Sequence, residues 1–199
     1  MNLERNRKFE KVSVYCASSS KIAQEYFDLT DQVAEALVNE GITAVCGGGG
    51  KGLMGQLADS MLKRDGKVIG IIPHFMVKVE WQHKGLTELI LVDDMAIRKK
   101  KLLEVDALVA LPGGCGTLEE LLEAITLKRL GQFTKPIIIY NHKSYYDPLL
   151  AMLEKTIEEK FMRPEHRGIW TVITEAEQLI SALHEAPEWD ESAINFAAV

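Results

Sequence analysis

The chain alternates strand-length apolar runs with segments of helical spacing, and this alternation constrains its fold more than any other feature. Apolar runs fall at residues 12–17, 42–46, 67–72, 88–92, 106–111, 135–140 and 169–173. Between the first two, Tyr26, Leu29, Val33, Ala36 and Leu37 recur on one helix face, and Gly41 stops the pattern. Further helices are predicted over 53–64, 94–104, 117–130, 148–161 and 175–185. Strands alternating with helices make βαβ units and a parallel sheet. The unbroken apolar run 106–111 fits a strand buried on both faces. The predicted fold class is α/β, a single doubly wound (Rossmann-like), mostly parallel sheet with helices on both faces. No linker rich in Pro, Gly or Ser divides the chain, so one domain is expected over 1–199, with a weakly patterned tail from about 187. Residues 74–87, with His74, Trp81 and His83, lack a period and read as an irregular connection.

Composition narrows the partners. At 47% hydrophobic and 26% charged, the chain is ordinary globular material. Lys plus Arg is 23 against 29 Asp plus Glu, a net charge of −6, so the basic footprint of a non-specific nucleic-acid binder is missing. A local basic pocket for a small anion remains compatible with that balance. No apolar run approaches the ~18 residues of a membrane helix, and the N-terminal MNLERNRKFEK has no apolar core of a signal peptide. Neither a membrane nor a nucleic-acid partner is therefore expected. Cys16, Cys46 and Cys115 are widely spaced and form no CxxC, which suggests neither a disulfide framework nor a zinc site. A reducing cytoplasm is the expected location. The five histidines show no HxH or HExxH, so no metal site is expected. No Ser lies in a GxSxG elbow.

Three polar or glycine-rich clusters each follow a predicted strand: Ser18-Ser19-Ser20, Gly47-Gly48-Gly49-Gly50-Lys51-Gly52, and Pro112-Gly113-Gly114-Cys115-Gly116-Thr117. Ligands of open parallel sheets bind outside the carboxyl ends of the strands, so this coincidence points to a site. The second cluster matches GxGxxG poorly. It follows the second strand, and no acidic residue ends the next one, as a dinucleotide site requires. It also fails as a P-loop, because Gly52 rather than Ser or Thr follows Lys51.

The third cluster opens a helix, with Thr117 expected as N-cap. Amides unshielded by Cβ, together with the helix dipole, suit a phosphate. Thr117-Leu118-Glu119-Glu120 also reads as a capping box, which makes Glu120 either a cap or a working carboxylate beside an anion. Leu118, Leu121, Leu122 and Ile125 are expected to face the core, with Glu120 and Glu123 opposite. In Arg98-Lys99-Lys100-Lys101, Arg98 falls near a helix start, where a cation opposes the dipole unless an anion is near. Cys115, ahead of a helix, is either a small filler or a thiol in a setting that favours thiolate.

These segments together resemble a known family. Gly47-Gly48-Gly49 with Gly52-Leu53-Met54-Gly55, Ile71-Ile72-Pro73, Asp94-Met95 with Arg98-Lys99, and Leu111-Pro112-Gly113-Gly114-x-Gly116-Thr117-x-x-Glu120 resemble the LOG ("Lonely Guy") family of cytokinin-activating phosphoribohydrolases over residues 12–150. Members have often carried the label lysine decarboxylase, but the sequence has no recognisable pyridoxal-phosphate lysine context. Many members have His after the Met of Met-x-x-Arg-Lys, where this chain has Ala96.

The resemblance implies a nucleotide-binding domain that cleaves the N-glycosidic bond of a nucleoside 5′-monophosphate, with no cofactor. Arg98 and Glu120 would be catalytic. Ser18, Ser19, Gly48, Gly49, Met95, Lys99, Gly113, Gly114, Cys115, Gly116 and Thr117 would bind substrate. A homodimer is implied as well, and a second copy is expected to supply the cover that keeps Glu120 from open water. A non-catalytic carrier of a phosphate-bearing cofactor such as the molybdenum cofactor, and a broader nucleotide nucleosidase, are the alternatives.

Overall fold

A computed structural model describes residues 7–77 and 82–197. Trp81 lies outside the described residues. Seven strands, β1 (Lys11–Tyr15), β2 (Thr43–Cys46), β3 (Val68–Pro73), β4 (Glu88–Val92), β5 (Ala107–Ala110), β6 (Ile137–Tyr140) and β7 (Thr171–Ile173), form one sheet. Its order is β4-β3-β2-β1-β5-β6-β7, and each neighbouring pair is parallel. The helices are α1 (Gln24–Asn39), α2 (Gly52–Lys63), α3 (Met95–Leu102), α4 (Cys115–Arg129), α5 (Asp147–Glu158) and α6 (Leu179–Glu185).

Side-chain alternation along the strands sorts the core into two layers. Val12, Val14, Val109 and Leu111 face Leu29 and Val33 of α1, Leu57 of α2 and Leu183 of α6. Tyr15, Leu108 and Ala110 face the other way, toward Leu102 of α3, Leu121 and Ile125 of α4 and Leu153 of α5. The doubly wound sheet with helices on both faces is thus as expected, and every residue of β5 is buried. Each fully buried Leu contributes ~1.5–3 kcal/mol.

The direction of winding reverses between β1 and β5. Chain connections after β1 run outward to β4, while those after β5 run outward to β7, so the loops leaving β1 and β5 part and open a crevice. Pairing persists to its lip, where the Leu111 amide donates to the Tyr15 carbonyl at 2.8 Å.

Several boundaries differ from expectation. Helix α4 begins at Cys115 with Gly114 as N-cap, so Thr117 lies inside the first turn and makes no capping box with Glu120. Thr117 is buried against Gly113, where it helps close the loop onto the helix. Leu122 is 40% exposed, because α4 turns Thr117, Leu121, Ala124, Ile125 and Lys128 inward instead. Helix α5 stops at Glu158, and Lys160 follows at φ 64, a left-handed residue that ends the helical path. The tail from 187 is not featureless. A 3-10 turn covers Glu191–Phe196, and the Trp189 indole donates to the Lys128 carbonyl at 2.6 Å.

Candidate active site

Arg98 reaches the crevice from the edge of the sheet. Strand β4 delivers the chain to Asp94, whose Oδ1 accepts from the Ile97 amide at 2.8 Å and starts α3. One turn on, the Arg98 side chain lies beneath the end of β3, with Nε donating to the Ile71 carbonyl at 3.1 Å. Its Nη1 donates to Glu120 Oε1 at 2.6 Å. The guanidinium passes so close to the β2 terminus that a Cβ on Gly47 would stand 2.5 Å from Nη2. Only glycine leaves that space. The anion that offsets the dipole penalty on Arg98 is thus Glu120, on the neighbouring helix.

Glu120 projects from the second turn of α4, and its side chain is only 12% exposed. Burial pushes its carboxyl above the ordinary glutamate range. Arg98 pulls the other way, and the neighbouring Glu119 and Glu123 add to the rise. Burial also raises the phenol of Tyr15, which lies at the mouth of the same crevice beside these carboxylates. A carboxylate that holds its proton more readily than usual, fixed against a cation, suits proton transfer. A second copy was expected to supply the cover over Glu120, and a single chain already provides most of it.

Between this pair and the start of α4 lies a cavity of about 300 Å³. Its polar wall holds Ser18, Arg98, Glu120 and the 114–117 turn. Met54, Met76 and Met95 form an apolar wall. The leading amides of α4 have no partner inside the helix, and with the helix dipole they form a receptor for an anion. A larger cavity, about 640 Å³, opens at the opposite ends of the strands near Phe9 and Leu183. Among the described residues that line it there is no buried pair of opposite charges, whereas the smaller cavity holds one.

Of the residues expected at a site, Ser18, Met95, Arg98, Gly114, Cys115, Gly116, Thr117 and Glu120 line this cavity together. Others stand back from it. Gly48 accepts from the His83 amide at 3.1 Å, and Gly49 bridges to Gln82, so this part of the glycine run holds the 82–83 segment. Ser19 Oγ accepts from the Lys21 amide. Lys99 turns toward Glu119 at 2.6 Å and Glu123 at 3.2 Å, clamping α3 to α4. Gly113 sits behind the turn against Thr117. Sequence reasoning placed Gly47 in a cluster that points to a site, but missed Tyr15, Met54 and Met76 as lining residues. Tyr15 lies at a strand end, a signal that was available, whereas Met76 sits in the aperiodic connection and gave none.

A protein-family model described as "Possible lysine decarboxylase" matches residues 54–183. The cytokinin riboside 5′-monophosphate phosphoribohydrolase LOG2 of Arabidopsis thaliana is 38% identical over 94% of this chain and 89% of its own length. The probable phosphoribohydrolase LOGL2 of Oryza sativa subsp. japonica is 37% identical over 94% of this chain and 78% of its own.

The chain belongs to the LOG family.

Among solved structures, the Moco carrier protein of Chlamydomonas reinhardtii superposes with a TM-score of 0.67 at 17% identity, covering 89% of this chain and 97% of that one. That likeness concerns the fold. Among the described residues lining the cavity there is no lysine.

Proposed function

We propose that this LOG-family chain hydrolyses the N-glycosidic bond of a nucleoside 5′-monophosphate, releasing a free base and ribose 5-phosphate. Cytokinin riboside 5′-monophosphate and AMP are the candidate substrates. The buried Arg98–Glu120 pair, 2.6 Å apart beside the N-terminus of α4, carries the reading. In it the 5′-phosphate rests on the 113–117 turn, and the base packs on Met54, Met76 and Met95, whose thioethers adapt to its shape. Glu120 orients the ribose hydroxyls and takes a proton from the attacking water. The water oxygen bonds to the anomeric carbon as the bond from that carbon to the base nitrogen breaks. The bonding pair leaves with the base as Arg98 balances its charge, and the base takes up a proton from solvent while Glu120 returns to solvent the proton it took from water. Positive charge developing on the sugar is stabilised by the nearby carboxylate, as in other glycosidases. The scheme calls on no metal or organic cofactor.

Two further features belong to this proposal. Ile97 on α3 and Leu122 on α4 are 39% and 40% exposed, which supports a homodimer built over these two helices. A cytoplasmic location is supported by three free cysteines, of which Cys115 is exposed. No helix among the described residues is long and apolar enough to cross a membrane.

The fold likeness to Moco carriers favours a second reading, a carrier without turnover. Fold alone does not set function, and a carrier has no use for a proton-transferring carboxylate. Incubation with purine and pyrimidine monophosphates, followed by chromatography for free base, separates the readings. Base released from AMP or a cytokinin ribotide supports the hydrolase. Release from every nucleotide alike supports a broad nucleosidase, and retention of every nucleotide intact supports a carrier.

A further inference from the structure

The turn after β6 carries two adjacent tyrosines whose hydroxyls both end on the loop that opens α4. Tyr146 Oη donates to the Leu111 carbonyl at 2.7 Å, and Tyr145 Oη donates to the Gly113 carbonyl at 2.7 Å. The turn is costly to build. Lys143 and Ser144 stand at φ 46 and φ 62, a left-handed conformation that residues bearing a side chain adopt under strain. Asn141 holds it closed, with Oδ1 accepting from the Tyr146 amide at 2.7 Å and Nδ2 donating to Asp147 at 2.7 Å. The Tyr145 ring is held edge-on between Tyr26 and Tyr146, at centroid distances of 6.2 and 5.1 Å.

The two hydroxyl bonds do different things. The Leu111 carbonyl shares its peptide with Pro112, which has no N–H. Tyr146 therefore satisfies a buried acceptor and steers nothing. The Gly113 carbonyl shares its peptide with the Gly114 N–H, and in a planar trans peptide the two point in opposite directions. Fixing the carbonyl on Tyr145 turns the Gly114 N–H away from Tyr145. Two successive glycines make this the freest peptide of the loop, so without a tether both orientations are open to it. Gly114 lines the cavity at the start of α4.

We propose that Tyr145 is a positioning residue for the anion end of the site. Its hydroxyl holds the Gly113–Gly114 peptide in the orientation that presents the Gly114 amide to the substrate's 5′-phosphate. The inference rests on the nucleotide reading above and adds a residue that never touches the substrate.

Tyr145→Phe removes one oxygen and keeps the ring packing. Calorimetry with AMP and with adenosine, alongside steady-state kinetics and thermal melting, tests the inference. The Kd and KM for AMP should rise about ten-fold or more, the worth of one amide bond to an anion. Adenosine binding should not change, and kcat should change less than KM. The melting temperature should hold, because Tyr145 is 41% exposed and water can replace its hydroxyl. Tyr146→Phe should do the reverse, lowering the melting temperature and keeping the preference for AMP over adenosine. A Tyr145→Phe protein with that preference unchanged, or one behaving like Tyr146→Phe, overturns the inference. Wild-type protein that binds AMP tightly but leaves it intact overturns the hydrolase reading alone, since the binding comparison still stands. Wild-type protein that binds AMP no better than adenosine overturns both.

Discussion

Arg98 and Glu120 are each costly to bury and become tolerable only together. Removing one partner of such a pair leaves an uncompensated charge, at roughly 3–5 kcal/mol. Arg98→Ala should therefore unfold at markedly lower denaturant at neutral pH, and recover part of that loss in acid, where Glu120 is protonated. Denaturation curves at the two pH values check this, and equal losses at both would contradict it. Glu120→Gln keeps an acceptor for the guanidinium but cannot move a proton, so kcat/KM should fall ~10²-fold or more. The pH behaviour follows from the raised carboxyl. The native state holds a proton that the unfolded chain releases, so Glu120's contribution to stability is full below pH 4.5 and is lost as pH rises through the native value. Wild-type stability should carry that downward step and Glu120→Gln should lack it. The acid limb of wild-type kcat/KM should likewise lie above the ordinary glutamate range.

The strands and helices were largely legible, because an apolar run such as 106–111 and the Tyr26–Leu37 spacing each have one physical solution. Helix ends and rotations were less so. Thr117 reads locally as a cap, yet its contact with Gly113 places it inside α4, and Leu122 reads as core until Thr117, Ala124 and Lys128 fix the rotation. The partners of Lys99 and Arg98 lie across helices, at separations no periodicity reports. Lys128 is the least legible residue. It is buried at the end of α4 with no carboxylate paired to it among the described residues, donates to the Lys135 carbonyl at 2.9 Å, and sits 5.8 Å from the centre of the Trp189 ring. Burial lowers its pKa to about 8 from 10.5. Between those values the unfolded chain binds more protons than the native one, so stability should rise with pH across that window. Thermal melts of Lys128→Met should lack this rise, and an identical slope in both proteins would contradict the assignment.

Across the whole molecule, the winding reversal between β1 and β5 opens the crevice, and α3 and α4 bring the two charges to its lip. Ile97 and Leu122 are exposed on these two helices, and a dimer formed over them should lose mass and activity together on dilution. Light scattering that finds a fully active monomer at assay concentration would refute the interface and leave the chemistry untouched. In the proposed reaction, remote phosphate binding holds the sugar against Glu120. The most direct test is kcat/KM for base release from AMP against adenosine under identical conditions. The account predicts a strong preference for AMP that disappears into background for both substrates in Glu120→Gln, whereas equal values for AMP and adenosine, or undiminished release by Glu120→Gln, would contradict it.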